Sequence, residues 1–137
     1  MNKRRALTFL LGSAMMVVGS FHFITPEPFI KIVPAYLPPP NILVVISGFF
    51  EILGGLGLII SKTRRFASWG LIALYISVFP ANINMALNDI HLSEDGVANW
   101  VYWLRLPFQF VFIYLAWWVG KKKAPSDDQI SVSNSSE

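Results

Sequence analysis

The chain has 137 residues, which is room for a single domain. It is 54% hydrophobic and 15% aromatic but only 14% charged, whereas a typical soluble domain carries about 25% charged residues. This composition excludes an ordinary soluble protein. The absence of cysteine excludes disulfides, thiol redox relays and iron–sulfur ligation. Although the net charge is +3, the basic residues stand at the ends of apolar runs, which favours a lipid bilayer rather than nucleic acid as the partner.

Four long apolar runs follow one another along the chain: Ala6–Ile24, Asn41–Ile60, Phe66–Asn88 and Trp100–Gly120. Each is close to the ~20 residues that a helix needs to span the hydrocarbon. Runs of this length predict helices, because a backbone in lipid must satisfy its own hydrogen bonds. A cleaved signal peptide is the alternative for the first run, which is long for that purpose and lacks a clear cleavage site. We predict an all-α membrane protein, a bundle of four transmembrane helices at about 6–24, 41–60, 66–88 and 100–120.

The basic residues predict the orientation of this bundle. Nine of the 11 Lys and Arg residues precede the first run, join the second to the third, or follow the fourth: Lys3, Arg4, Arg5, Lys62, Arg64, Arg65, Lys121, Lys122 and Lys123. These positions all lie on one side of a four-helix protein. The positive-inside rule therefore places the N and C termini in the cytoplasm.

The segments outside the helices differ in character. The outer loop, residues 25–40, holds six of the nine prolines and is too apolar for a free loop, so we expect it to lie at the interface or over the mouth of the bundle. The tail, residues 124–137, is small and polar and is predicted to be disordered. Residues 1–123 then form one transmembrane domain.

Polar residues inside the apolar runs form the candidate site, because each is costly in hydrocarbon without a partner. Pro80 and Pro107 lie among them and free backbone carbonyls. In the predicted topology these polar residues all fall in the outer half of the bundle: His22, Glu51, Asn82, Asn84, Arg105 and Gln109.

Each candidate also has a structural interpretation. Glu51 and Arg105 are predicted to form an ion pair, which locks two helices together as readily as it binds a ligand. Asparagines in membrane helices commonly bridge neighbouring helices. The sequence contains no nucleophile with its base, no phosphate-binding loop and no metal-ligand triad, so no catalytic residue is assigned and no metal is expected.

Several strings together resemble the DoxX-like family of small bacterial integral membrane proteins. They cover all the predicted helices and the first loop: GSFHF (19–23), PFIKIVP (28–34), SGFFEILGG (47–55), FPANINMA (79–86) and LRLPFQ (104–109). The resemblance implies a four-helix membrane bundle in the bacterial inner membrane. It also implies an association with oxidoreductases, since the family takes its name from a subunit of a thiosulfate:quinone oxidoreductase, but it carries no assigned catalytic residue.

The leading hypothesis is a multi-pass inner-membrane protein whose polar intramembrane pocket binds a small redox-linked molecule such as a quinone. One alternative is a non-catalytic accessory subunit of a membrane redox complex, or a homo-oligomer, in which the polar residues only join helices. A second is a transporter of a small solute or ion. Transport needs a polar path to the cytoplasm, and the inner halves of the runs carry almost no polar residues.

Reporter fusions test the predicted topology. Fusions after Arg65 and after Lys123 are expected to report a cytoplasmic position, whereas fusions within residues 34–40 or at Glu94 are expected to report an external one. A single fusion of reversed polarity contradicts the four-pass arrangement.

Overall fold

The protein was analysed as a computed structural model, which describes residues 2–88 and 99–121, without the side chains of residues 99–102 and 105. Within these ranges the chain is helical and contains no strand, which confirms the all-α prediction. The helices are α1 (Lys3–Ile24), α2 (Glu27–Lys31), α3 (Pro40–Ile59), α4 (Arg64–Leu87) and α5 (Asn99–Gly120). The predicted tail, 124–137, and the third connection lie outside the described residues.

Three helices are long and apolar enough to cross a membrane: α1 with 22 residues, α3 with 20 and α4 with 24. They match the ~20 residues required to span the hydrocarbon. The prediction of membrane helices is therefore confirmed for these three by length and composition. In α5 the described apolar portion is Leu106–Gly120, which is shorter.

Successive long helices are antiparallel. α1 packs on α3, α3 on α4, α4 on α5, and α5 also touches α1. The start of α1 therefore meets the end of α5, where the Arg4 guanidinium donates to the Val119 carbonyl at 3.0 Å. We call this end, formed by residues 2–12, 56–69 and 117–121, the basic end.

Glycines bring the backbones of α1 and α3 into direct contact at two levels. A Cβ built on Gly12 would lie 2.7 Å from the Gly55 carbonyl oxygen, and one on Gly19 would lie 2.9 Å from that of Gly48. Real Cβ atoms essentially never come within 3.0 Å of another heavy atom. Small residues are common at helix contacts in membranes, because close approach increases van der Waals contact where lipid supplies no hydrophobic drive.

Two arginines cap the carbonyl ends of helices at the basic end. The Arg64 side chain donates to the Leu58 carbonyl at 2.7 Å and to the Ile59 carbonyl at 3.2 Å, which satisfies the last turn of α3. Arg4 does the same for α5, donating to the carbonyls of Val119 and Lys121. The last carbonyls of a helix have no partner within the helix, so these bonds stabilise both ends.

The half of the bundle near the basic end is filled by apolar side chains. Its buried cluster comprises Leu11, Met15, Leu58, Ala67, Leu71, Tyr75 and Val119. The opposite end is covered by the segment 25–39, which includes α2. Ile32 in this segment is buried against Met85, with Ala81 packed beside them. The segment therefore lies over the mouth of the bundle, although Tyr36 within it is exposed.

Replacing Gly12 or Gly55 by alanine is expected to lower stability by about 1–3 kcal/mol, since the new Cβ meets backbone that cannot move away cheaply. Gly70→Ala is the matched control, because a Cβ there meets nothing within 4 Å. The control is expected to keep or slightly raise stability through helix propensity. Thermal unfolding in detergent measures the stability of all three variants. If Gly70→Ala lowers stability as much as the substitutions of Gly12 and Gly55 do, the backbone contact is contradicted.

Candidate binding cavity

A cavity of about 590 Å³ lies between the covering segment and α1, α3, α4 and α5. Most of its lining is apolar, with contributions from Val18, Phe29, Leu74 and Phe112 among others. Its polar lining residues are His22, Ser47, Glu51, Tyr75, Ser77, Asn82 and Gln109. An apolar cavity with a few polar groups is the usual form of a small-molecule site, and such sites commonly measure about 300–1,000 Å³.

His22 and Glu51 form the polar wall between α1 and α3. The Nδ1 atom of His22 lies 3.0 Å from the Val18 carbonyl oxygen and 3.6 Å from Oε2 of Glu51. Because a carbonyl oxygen can only accept, Nδ1 carries the proton and donates a hydrogen bond to the Val18 carbonyl. In neutral histidine Nε2 is then an acceptor. The ring is held by stacking on Phe29, with centroids 3.9 Å apart and an interplanar angle of 20°.

The Glu51 carboxyl group is short of partners. The side chain is 8% exposed, and within residues 2–88 and the described side chains of α5 it accepts no hydrogen bond, since His22 Nδ1 at 3.6 Å is beyond hydrogen-bond range. Buried polar groups are normally satisfied. With respect to the described residues, the Glu51 carboxyl group is therefore available to a bound molecule or to the Arg105 side chain that is predicted to pair with it.

Asn82 and Gln109 join α4 to α5 in a fixed orientation. The Gln109 amide nitrogen donates to the Tyr75 carbonyl, and its Oε1 accepts from Asn82 Nδ2 at 2.7 Å. The Tyr75 carbonyl can only accept, so neither amide can be flipped without losing a bond. Asn82 Oδ1 makes no hydrogen bond within the described part of the chain, which leaves it as an acceptor on the cavity wall.

Of the six candidate residues, four therefore meet at the cavity: His22, Glu51, Asn82 and Gln109. Asn84 does not line it. Its Nδ2 donates to the Ile32 carbonyl at 3.0 Å, so Asn84 holds the covering segment in place. Arg105 is in α5, but its side chain lies outside the described residues, and its pairing with Glu51 stays a prediction.

Sequence reasoning missed two contributors. Tyr75 is 7% exposed, and its hydroxyl donates to the Met15 sulfur across the bundle. The position of Tyr75 in the sequence could have indicated this role. It lies far from the ends of its apolar run, whereas tyrosine in membrane proteins prefers the interfaces. Phe29, in the short helix α2, stacks on His22, and no periodicity in the sequence could have placed it there.

The fold and this cavity define a class: a small helical protein suited to a membrane, with a largely apolar cavity that carries a few polar groups under the covering segment. The chain itself belongs to the family described as domain of unknown function (DUF8561), which matches residues 11–120. No curated protein and no solved structure matches it significantly.

A double-mutant cycle tests the amide pair. Asn82→Leu and Gln109→Leu are each expected to lower stability, and the pair to lose less than the sum by about 0.6–1.7 kcal/mol, the range of interhelical hydrogen bonds in membranes. The control cycle replaces Asn84 and Gln109, which do not bond each other. Additive losses in both cycles contradict the proposed contact.

Proposed function

We propose that this protein is a four-pass inner-membrane protein that binds a small redox-linked molecule, a quinone or its quinol, in the cavity under the covering segment. The observation that carries the proposal is a largely apolar cavity of about 590 Å³ lined by the Glu51 carboxyl group, which accepts no hydrogen bond from the described residues. The resemblance to the DoxX-like family, with its link to a quinone oxidoreductase, agrees with this ligand class.

The four-pass arrangement is supported by the antiparallel order of the long helices and by the charges at their ends. Residues 2–12, 56–69 and 117–121 contain seven Lys or Arg residues and no Asp or Glu. The positive-inside rule assigns such an end to the cytoplasm, so both termini are cytoplasmic and the cavity opens toward the outer face.

The shape of the cavity suits an aromatic ring carrying oxygen atoms. The ring would lie among apolar side chains such as Val18, Leu74 and Phe112. Its oxygens would lie between the His22–Glu51 wall and the amide of Asn82. These walls belong to different helices, so a molecule with polar atoms at both ends of the ring can bond to both.

The hydrogen-bonding groups favour the reduced form. Among the described residues, the acceptors on the cavity wall that make no hydrogen bond are the Glu51 carboxyl oxygens, His22 Nε2 and Asn82 Oδ1. A quinol offers two hydroxyl donors to such a set, whereas a quinone has only carbonyl acceptors. We therefore expect the quinol to bind more tightly.

Transport fits the arrangement less well. The half of the bundle near the basic end is filled by buried apolar residues, among them Leu11, Leu58, Leu71 and Val119. A polar solute entering the cavity meets this packed layer, and within the described residues no polar path leads through it. Binding at one face is the simpler use of the site.

Titration of the purified protein with a short-chain quinol, followed by intrinsic tryptophan fluorescence, tests the proposal. Glu51→Leu is expected to weaken binding up to roughly tenfold, because a hydrogen bond contributes about 0.5–1.5 kcal/mol. Glu27→Leu is the matched control: this exposed glutamate in α2 lies outside the cavity lining.

Two results contradict the proposal: failure of the wild-type protein to bind either quinol or quinone, or equal weakening by the Glu51 and Glu27 substitutions. If the quinone binds more tightly than the quinol, only the expected preference for the reduced form is contradicted, and the proposed binding site is not.

A further inference from the structure

A second, smaller cavity lies at the basic end, on the outside of the bundle between α4 and α5. It has a volume of about 260 Å³ and is lined by Arg65, Ser68, Trp69, Trp117, Gly120 and Lys121. We call it the basic groove. It shares no residue with the cavity of the proposed function, and nothing in that function requires it.

The floor of the basic groove is rigid. Ser68 is buried, and its hydroxyl donates to the Ala116 carbonyl across the helix contact at 2.6 Å. Gly120 has no side chain, and a Cβ there would collide with Ser68. The close approach of α4 and α5 at this level therefore fixes the depth of the groove.

The rim carries two exposed cations. Arg65 makes no hydrogen bond or ion pair within residues 2–88 and the described part of α5, unlike Arg4 and Arg64, which cap helix ends. Lys121 places its Nζ atom 3.5 Å from the centroid of the Trp117 ring. Residues 2–12, 56–69 and 117–121 contain seven Lys or Arg residues and no Asp or Glu, so these described residues contribute a positive field at the groove.

The surroundings of the groove are apolar and exposed. Trp69, which lines the groove, is 57% exposed, and Phe66, which follows Arg65 in the sequence, is 85% exposed. In a membrane-embedded chain such side chains face lipid, and tryptophan is favoured at the level of the headgroups. Cations beside tryptophans at the end of a membrane helix pair fit a ligand that joins a negative headgroup to an apolar tail.

We propose that the basic groove binds an anionic phospholipid. Its phosphate group lies between Arg65 and Lys121, and its acyl chains follow the exposed apolar surface of α4 and α5. Arginine recognises phosphate oxygens through paired N–H donors, and basic clefts between membrane helices at the cytoplasmic surface are suited to anionic headgroups.

Native mass spectrometry of the full chain in detergent, titrated with phosphatidylglycerol or phosphatidylcholine, tests this inference. Wild type is expected to retain phosphatidylglycerol in preference to phosphatidylcholine. Arg65→Gln and Lys121→Gln are each expected to weaken phosphatidylglycerol binding about fivefold, the effect of removing one cation near an anionic surface. Lys62→Gln is the matched control, because it removes the same charge from an exposed position outside the groove.

Equal weakening by all three substitutions means that general surface charge holds the lipid, and it overturns the proposal. Displacement of the lipid by excess inorganic phosphate also overturns it, because the groove is then a site for a free anion. Since all three residues are exposed, unchanged thermal unfolding is expected, and it is measured in parallel. The quinol titration of the first cavity is independent of these variants, so either proposal can fail alone.

Discussion

The contact between the backbones of α1 and α3 fixes the positions of the residues around it. At Gly48 a Cβ would lie 2.6 Å from the Cβ of His22, so the absence of a side chain there lets His22 lie directly against α3. Glu51 follows Gly48 by three residues and therefore lies on the same face of the helix. That geometry puts the imidazole within 3.6 Å of the carboxyl group. A larger residue at position 48 would separate the helices and remove one wall of the cavity.

The polar groups of the bundle divide into those that bind the helices together and those that remain available. Gln109 and the Asn82 amide nitrogen are engaged across α4 and α5, which is the bridging role expected of amides in membrane helices. Ser68 performs the same role nearer the basic end. Glu51 and the Asn82 oxygen have no such partner among the described residues. Both groups line the cavity instead of joining helices, and this is the physical reason for proposing a ligand there.

The basic residues likewise serve more than one purpose. In the sequence they all indicate the same side of the membrane, and no feature distinguishes the role of one from that of another. In the structure Arg4 and Arg64 bond to the last carbonyls of α5 and α3, so part of the positive charge is used within the protein. Arg65 and Lys121 stay exposed beside tryptophans at the groove between α4 and α5. Arg64 and Arg65 are neighbours in sequence but differ in their contacts, because they leave the helix in different directions.

The sequence alone determined that the chain is helical and apolar enough for a membrane. The length and hydropathy of a run can be read locally, and a backbone in lipid must form its hydrogen bonds within a helix. It also selected six polar candidates, since a polar residue in an apolar run is conspicuous wherever it points: His22, Glu51, Asn82, Asn84, Arg105 and Gln109. Tertiary structure decided which of the candidates meet. Asn84 lies two residues from Asn82 and therefore on another face of α4, where it holds Ile32 instead of lining the cavity. Phe29 and Tyr75 joined the site through contacts distant in sequence, and such contacts depend on how the helices pack, which no local pattern encodes.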